Sequence, residues 1–198
     1  MTNTKRVSLL GIVSIFIIFF SLSPYLPVEA GTGNDYFTTP RNSELLYNVE
    51  KYHLSDENFF ARYKSRRYYY ALQDLEFVLN YFPNHPKALM FMGSVAQLTK
   101  DSSLGVIYYE KAIRLYPQYA LTHAQYGEYL VNIGLVKEGI ERLKKAIEID
   151  PKLAIAYKWL SKAYTKIGDL EMARRAAERA KELGINIKEG RKQETTED

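Results

Sequence analysis

The residue types that most often carry out chemistry are few in this sequence, and their spacing fits no reaction centre. The chain has 198 residues and no cysteine, which excludes a disulfide, a catalytic thiol and a thiolate metal site. The three histidines, His53, His85 and His123, have no partner in the HxxxH or HxxE patterns that bind metal ions. Nucleophile-elbow, phosphate-loop and paired-carboxylate patterns are also missing. We therefore predict no enzymatic activity, no cofactor and no metal site.

One stretch mixes basic and aromatic residues as single-strand nucleic-acid binders do. It is RYKSRRYYY at 62–70, which also spans a predicted turn between two helices. The formal net charge of the whole chain is only +4, whereas a nucleic-acid-binding domain concentrates a larger positive charge on one face. A solvated turn is the better interpretation, and we expect no nucleic-acid partner.

The elements that would position any functional side chain are paired helices that repeat along the chain. Pro83, Pro117 and Pro151 follow one another at intervals of 34 residues, and each ends a helical pattern because proline has no N–H to donate. A single helix pair cannot bury its apolar face, so several pairs must stack. Small residues recur where two helices would cross closely, at Gly93, Gly127 and Ser161 in the first helices and Ala71, Gly105, Gly139 and Ala173 in the second helices.

This repeat resembles the tetratricopeptide repeat family, whose pattern is W-x2-L-G-x2-Y, then A-x3-F, then a final P. The similarity weakens in the earliest repeat, where Phe59 stands at a small-residue position. The resemblance implies an all-α fold, a right-handed superhelical solenoid of antiparallel helix pairs. In 120–153 the matching residues are Tyr126, Gly127, Gly134, Gly139, Leu143, Ala146 and Pro151.

We divide the chain at the boundaries of this period. The part before the repeats contains a short predicted helix, capped by Ser43, that would cover the open apolar edge of the first repeat. The segments are a signal peptide or anchor at 1–30, a leader at 31–51, the solenoid at 52–187 and a polar tail at 188–198. The solenoid consists of a degenerate repeat at 52–85 and regular repeats at 86–119, 120–153 and 154–187.

The resemblance also implies a concave groove, lined by the first helix of each repeat, that holds a segment of a partner protein. Three lysines on the last of these helices have no acid at i±3 or i±4 within that helix. They therefore lack a partner on the helix itself, and they would attract an acidic segment. A merely solvated face is the alternative. The groove residues implied are Phe60, Tyr63, Met90, Ser94, Gln97, Ala124, Glu128, Val131, Lys158, Lys162 and Lys166.

The aromatic residues of the first repeat leave one apolar stripe in need of a cover. Tyr70, Phe77 and Tyr81 share one face of the second helix, given the 100° turn per residue. Either the leader packs against this stripe or a protein partner does, because exposed apolar patches mark contacts. Self-association of the chain through these rings is therefore an alternative to binding a different protein.

The N-terminus has the pattern of a targeting segment. Lys5 and Arg6 precede a 16-residue run without charge at 7–22, and small residues then offer a cleavage site between Ala30 and Gly31. An uncleaved membrane anchor formed by 7–22 is the alternative. Both interpretations export the repeats to the periplasm or another extracytoplasmic space.

The sequence as a whole predicts an exported adaptor or assembly factor that binds a protein or peptide partner, acidic if the lysine stripe takes part. One alternative is a self-associating scaffold, which would form homo-oligomers. The other is an accessory subunit of a membrane enzyme or transport complex. Contact with the membrane would run only through the N-terminal segment, and only if that segment stays uncleaved.

We predict that the N-terminal segment is removed after Ala30. Intact-mass measurement of the protein from its native host should give a chain that begins at Gly31. A mature chain that still begins at Met1 would contradict the prediction and favour the anchor.

Overall fold

The fold is seen in a computed structural model that describes residues 33–185. The predicted signal or anchor segment, its cleavage site between Ala30 and Gly31, and the tail at 188–198 lie outside the described residues. Within residues 33–185, no helix is both long enough and apolar enough to cross a membrane.

Helices make up all the regular structure between residues 33 and 185, and they form consecutive antiparallel pairs. The predicted all-α solenoid architecture is confirmed for this part of the chain. Its elements are α1 (Glu44–His53), a π-helical turn (Asp56–Phe60) that leads into α2 (Ala61–Lys64), α3 (Tyr68–Tyr81), α4 (Pro86–Leu98), α5 (Ser102–Leu115), α6 (Ala120–Asn132), α7 (Val136–Ile149), α8 (Ala154–Lys166) and α9 (Leu170–Glu182).

Local signals in the sequence explain where several helices begin and end. Ser43 caps α1 by accepting a hydrogen bond from the Leu46 N–H at 3.4 Å, as predicted. Pro86 opens α4, where its missing N–H costs nothing. The turn between α6 and α7 needs a left-handed residue, and Gly134 supplies it with φ of 96°.

The buried residues form two clusters that meet at α6. One cluster runs from α1 to α6 and includes the fully buried Phe59, Phe82 and Met92. The other runs from α6 to α9 and includes Leu143 and Leu160. Because α6 contributes side chains to both, it joins the two halves of the described solenoid.

A buried carboxylate holds the irregular first repeat together. Asp74 on α3 is 3% exposed, and its two oxygens lie 3.2 Å from His53 Nδ1 and 2.5 Å from Arg62 Nη1. The His53 ring also stacks on Phe77 at 3.9 Å between centroids. Arg62 therefore belongs to an intramolecular ion pair, which supports a structural role for the basic, aromatic stretch at 62–70.

The two parts of the leader pack on different surfaces, and its helix α1 lies beside Phe77 and Tyr81 of the aromatic stripe. Asp35 accepts hydrogen bonds from the Asn84 amide at 2.7 Å and from the Tyr119 hydroxyl, so residues near 35 pack on the loops after α3 and α5. It is α1, through His53, that covers Phe77. Tyr70 stays 52% exposed.

The crossing of α6 and α7 depends on two facing glycines. A Cβ atom at Gly127 would lie 2.8 Å from the carbonyl oxygen of Gly139 and 2.7 Å from Leu143, and a Cβ atom at Gly139 would lie 2.7 Å from the carbonyl oxygen of Gly127. Since two of these contacts are to backbone, neither helix can yield without moving as a whole.

Replacing Gly127 by leucine should therefore lower the free energy of unfolding by about 1–3 kcal/mol or more, because overpacking forces the two backbones apart. Ser161 stands one period later and already carries a Cβ, so Ser161→Ala is the matched control. Thermal denaturation followed by circular dichroism measures both variants. An unchanged midpoint for Gly127→Leu would mean that the glycine contact is not as close as described.

Candidate partner-binding groove

A polar groove runs between the first helices of two neighbouring repeats, α4 and α6. It contains a cavity of about 250 Å³. The walls are mostly amide, hydroxyl and carboxylate groups, with one thioether, and two tyrosine rings form the floor. The lining residues are Met90, Gly93, Ser94, Gln97, Tyr109, Gln125, Glu128, Tyr129 and Asn132.

The floor of the groove is built by a tyrosine that fills the space left by two glycines. A Cβ atom at Gly93 would lie 2.8 Å from the Tyr129 ring, and one at Gly105 would lie 2.3 Å from it. The Tyr129 hydroxyl donates to the Ser102 carbonyl at 2.7 Å. These glycines therefore differ from the pair at the α6–α7 crossing, because they accommodate a side chain from the next repeat.

The structure joins several of the predicted groove residues into one surface. Met90, Ser94, Gln97 and Glu128 all line the cavity. Tyr63 extends this surface toward the first repeat, since its hydroxyl lies 2.8 Å from Ser94 Oγ.

Phe60 lies further toward the N-terminus of the same surface and is half-buried. Its ring packs edge-on against Phe91 at 5.1 Å between centroids, and the Lys87 ammonium lies 4.8 Å from its centre. The N-terminal end of the groove is therefore aromatic.

Two predicted groove residues do not present side chains to the groove. Ala124 is fully buried and Val131 is 1% exposed, and both belong to the second core cluster. Val131 packs against Gly139 of α7, so it faces the interior of its own helix pair. The neighbouring Gln125 and Asn132 line the groove instead. Counting in repeats of 34 missed them because a rotation of one residue moves a side chain by 100°.

The three predicted lysines are exposed on α8 and lean toward α6. Lys162 Nζ lies 3.4 Å from Asn132 Oδ1, and Lys166 Nζ lies 2.8 Å from the Val131 carbonyl oxygen. The expectation that all three lack an internal partner is therefore wrong. Lys166 satisfies a carbonyl at the end of α6, where a positive charge also suits the helix dipole. Lys158 and Lys162 retain charge that faces the groove.

Glu128 gives the groove an unusual carboxylate. Burial raises the pKa of Glu128, and the nearby positive charges of Lys162 and Lys158 offset only part of that effect. A carboxylate kept in a place where its charge is disfavoured is more typical of a functional surface than of a structural one.

Comparison with protein families identifies the repeat. Residues 86–119 match the model of the tetratricopeptide repeat. The chain therefore contains a tetratricopeptide repeat at residues 86–119. A search of curated protein sequences gave no match.

Several solved structures share the fold. YrrB, described as having an unusual peptide-binding site, aligns over 64% of this chain and 65% of its own, with 20% identity and a TM-score of 0.50. A MamA fragment from Desulfovibrio magneticus aligns over 63% and 71%, with 23% identity and a TM-score of 0.50. PilF from Pseudomonas aeruginosa aligns over 64% and 58%, with 19% identity and a TM-score of 0.52. The chain thus spans slightly under two thirds of YrrB and less of PilF.

The three histidines of the chain take part in folding contacts. His85 Nδ1 accepts from the Ala88 N–H at 3.2 Å and caps α4, while its Nε2 lies 2.9 Å from Glu50 Oε1. His123 Nε2 donates to the Pro117 carbonyl at 2.9 Å, and burial lowers the pKa of His123. Within residues 33–185, no group of three or more histidine, aspartate or glutamate side chains is placed to hold a metal ion.

The raised pKa of Glu128 predicts that Glu128→Gln stabilises the protein at neutral pH. Above the folded-state pKa the carboxylate is ionised in both states, so the folded protein bears the whole cost of burying the charge. Below the ordinary value of 4.5 it is protonated in both states and the cost is absent.

Thermal melts from pH 7 to about pH 3.5 measure this effect, since the range covers the loss of ionisation. The midpoint of Glu128→Gln should exceed that of the wild type at pH 7, and the gap should close in acid. Glu138→Gln removes an exposed carboxylate from α7 and controls for lost surface charge. A variant that melts below the wild type at pH 7 would contradict the account.

Proposed function

We propose that this protein is an adaptor that binds a segment of a partner protein along the groove between α4, α6 and α8. The tetratricopeptide repeat is a module for protein–protein interaction, which is the coarse function that the family supports. The observation that carries the proposal is the continuous series of groups from Tyr63 through Ser94 to Glu128 and Lys162.

The middle of the groove suits the backbone of an extended peptide. Gln97, Gln125 and Asn132 carry amide side chains. Each makes one hydrogen bond within the chain and keeps at least one further N–H donor for a ligand. An extended peptide has unpaired N–H and C=O groups that need such partners. The groove can therefore bind backbone with little regard to sequence in its middle section.

The two ends of the groove would select the partner. The N-terminal end offers the rings of Phe60 and Phe91, which suit an apolar side chain. The C-terminal end offers the ammonium groups of Lys158 and Lys162, which suit an acidic side chain. We infer a partner segment with an apolar residue at one end and acidic residues at the other.

We also propose that the adaptor works outside the cytoplasm, in the periplasm or an equivalent space. The support is the sequence pattern at 1–30, with its positive residues, uncharged run and small-residue site. A protein in this location could also be an accessory subunit of a membrane enzyme or transport complex.

A second candidate function is self-association, supported by exposed aromatic residues near α1 and α3. Tyr47 and Tyr52 are each 56% exposed, Tyr69 is 69% exposed and Tyr70 is 52% exposed. Light scattering across a range of protein concentrations separates this candidate from a monomeric adaptor, because only a scaffold grows in mass as concentration rises.

Reversing the charge of Lys158 and Lys162 together should strongly reduce capture of the partner. Lys166 is left unchanged because its contact with the Val131 carbonyl helps to hold α6 and α8 together. The tagged chain is isolated from its native host with and without Lys158→Glu and Lys162→Glu. We expect at least about a tenfold loss of the co-purified partner, equivalent to about 1.4 kcal/mol.

The matched control is Lys137→Glu with Lys152→Glu, which makes the same change in net charge at two exposed positions away from the groove. Washing at about 0.1 M salt keeps the electrostatic contribution measurable. Equal melting midpoints exclude a folding defect. Equal partner recovery from the groove variant and the control would assign these lysines to solubility alone.

A further inference from the structure

A second cleft lies on a different face of the molecule, between α5 and α7. Its volume is about 550 Å³. Val106, Tyr126 and Leu130 supply apolar walls, and Leu135 at the rim is 43% exposed. It is separate from the groove because it opens along the second helices of the repeats, while the groove opens along the first helices.

The preceding repeat shows what kind of side chain fills this position. One period before Arg142 stands Tyr108, which is half-buried against the first core cluster. Burial, together with the negative charge of Glu76, raises the pKa of Tyr108 to about 12, so its hydroxyl lies close to that carboxylate. Between α3 and α5 the chain therefore fills its own junction with a tyrosine beside a glutamate.

Between α5 and α7 the same positions leave the junction open. Arg142 takes the place of the tyrosine, and its guanidinium lies over the Tyr126 ring at 5.2 Å. Glu110 takes the place of Glu76, and its Oε1 accepts from the Tyr126 hydroxyl at 3.1 Å. The second junction thus has the glutamate, Glu110, but has Arg142 in place of the tyrosine that would pack beside it.

The charges around the cleft favour a basic ligand. Glu138 and Glu141 line the rim, are exposed, and form no ion pair within the described residues. Of the two cations in the lining, Lys145 is already bound to Glu148 at 2.7 Å. Arg142 is placed over the Tyr126 ring. Among the lining residues without an ion pair or hydrogen-bond partner in the described part of the chain, the two carboxylates of Glu138 and Glu141 therefore outnumber the one cation, Arg142.

We propose that this cleft is a second docking site, for a partner-protein segment that presents a tyrosine or similar aromatic side chain flanked by basic residues. The ring would occupy the space that Tyr108 fills in the preceding repeat, against Val106 and Leu130. The basic neighbours would lie against Glu138 and Glu141. The adaptor would then hold one segment in its groove and a different one in this cleft.

The peptide acetyl-GKYKG-amide is a suitable probe, titrated into the isotopically labelled protein. The NMR chemical shifts of the backbone amides of Val106, Leu130 and Leu135 should change together and reach saturation as peptide is added. Two further peptides separate the contributions: acetyl-GKSKG-amide lacks the ring and acetyl-GEYEG-amide reverses the charge. Both should bind at least about tenfold more weakly, because each loses one of the two sources of affinity.

Arg142→Tyr is the decisive variant, because it restores the side chain that fills the preceding junction. It should abolish the peptide-induced shifts. Glu138→Gln with Glu141→Gln changes exposed positions only, and it should weaken binding and reduce the dependence of affinity on salt. Lys158→Glu with Lys162→Glu, in the groove, should leave peptide binding unchanged.

The proposal is overturned if the tyrosine peptide causes no saturable shift at the cleft. It is also overturned if the shifts fall on Met90 and Gln97 instead, or if the acidic peptide binds equally well. Binding that is unaltered in both Arg142→Tyr and the double glutamine variant would likewise exclude the cleft. A result that excludes partner binding in the groove would not exclude peptide binding in the cleft, so the two proposals are tested independently.

Discussion

The placement of Tyr129 is the contact that fixes α6, the helix shared by both core clusters, against the preceding helix pair. Its ring lies where Gly93 and Gly105 leave room, and its hydroxyl donates to the Ser102 carbonyl at 2.7 Å. The side chain is 3% exposed, and burial raises its pKa. A single residue of α6 therefore contacts both helices of the preceding pair. Because packed aromatic rings have few alternative positions, this contact also sets how α4 and α6 lie beside each other.

The same helix, α6, contributes side chains to both candidate binding surfaces. With Tyr129 as floor, α4 and α6 present amides and Glu128 toward the groove. Another face of α6 turns Tyr126 and Leu130 toward the cleft beside α5 and α7. In a repeat protein, each helix pair uses only part of its surface for the core. The remaining faces are available to bind partners. The difference between the polar groove and the more apolar cleft then suits them to different segments.

Sequence periodicity was enough to predict the helix pairs but not the details of the groove. Proline, glycine and capping signals such as Ser43 act within a few residues, so they can be read directly from the chain. The role of Tyr129 was not predicted, because the repeats before and after it carry Val95 and Ala163 at the same position. A residue that differs from its repeat equivalents gives no periodic signal. The contacts of Lys162 and Lys166 with α6 join residues 30 and 35 positions apart. Such contacts depend on how repeats stack, which a 34-residue period does not specify.

Site-specific photo-crosslinking in the native host tests most directly whether the groove binds a partner. A photoreactive phenylalanine analogue at Gln97, which is exposed and lines the groove, should form a covalent adduct with one discrete protein. The same analogue at Lys181, exposed on α9, is the control position. The account predicts an adduct at Gln97 that is absent at Lys181 and is lost when Lys158 and Lys162 are both changed to glutamate. Adducts that are equal at the two positions, or that consist of the chain itself, would contradict an adaptor that binds a partner in its groove.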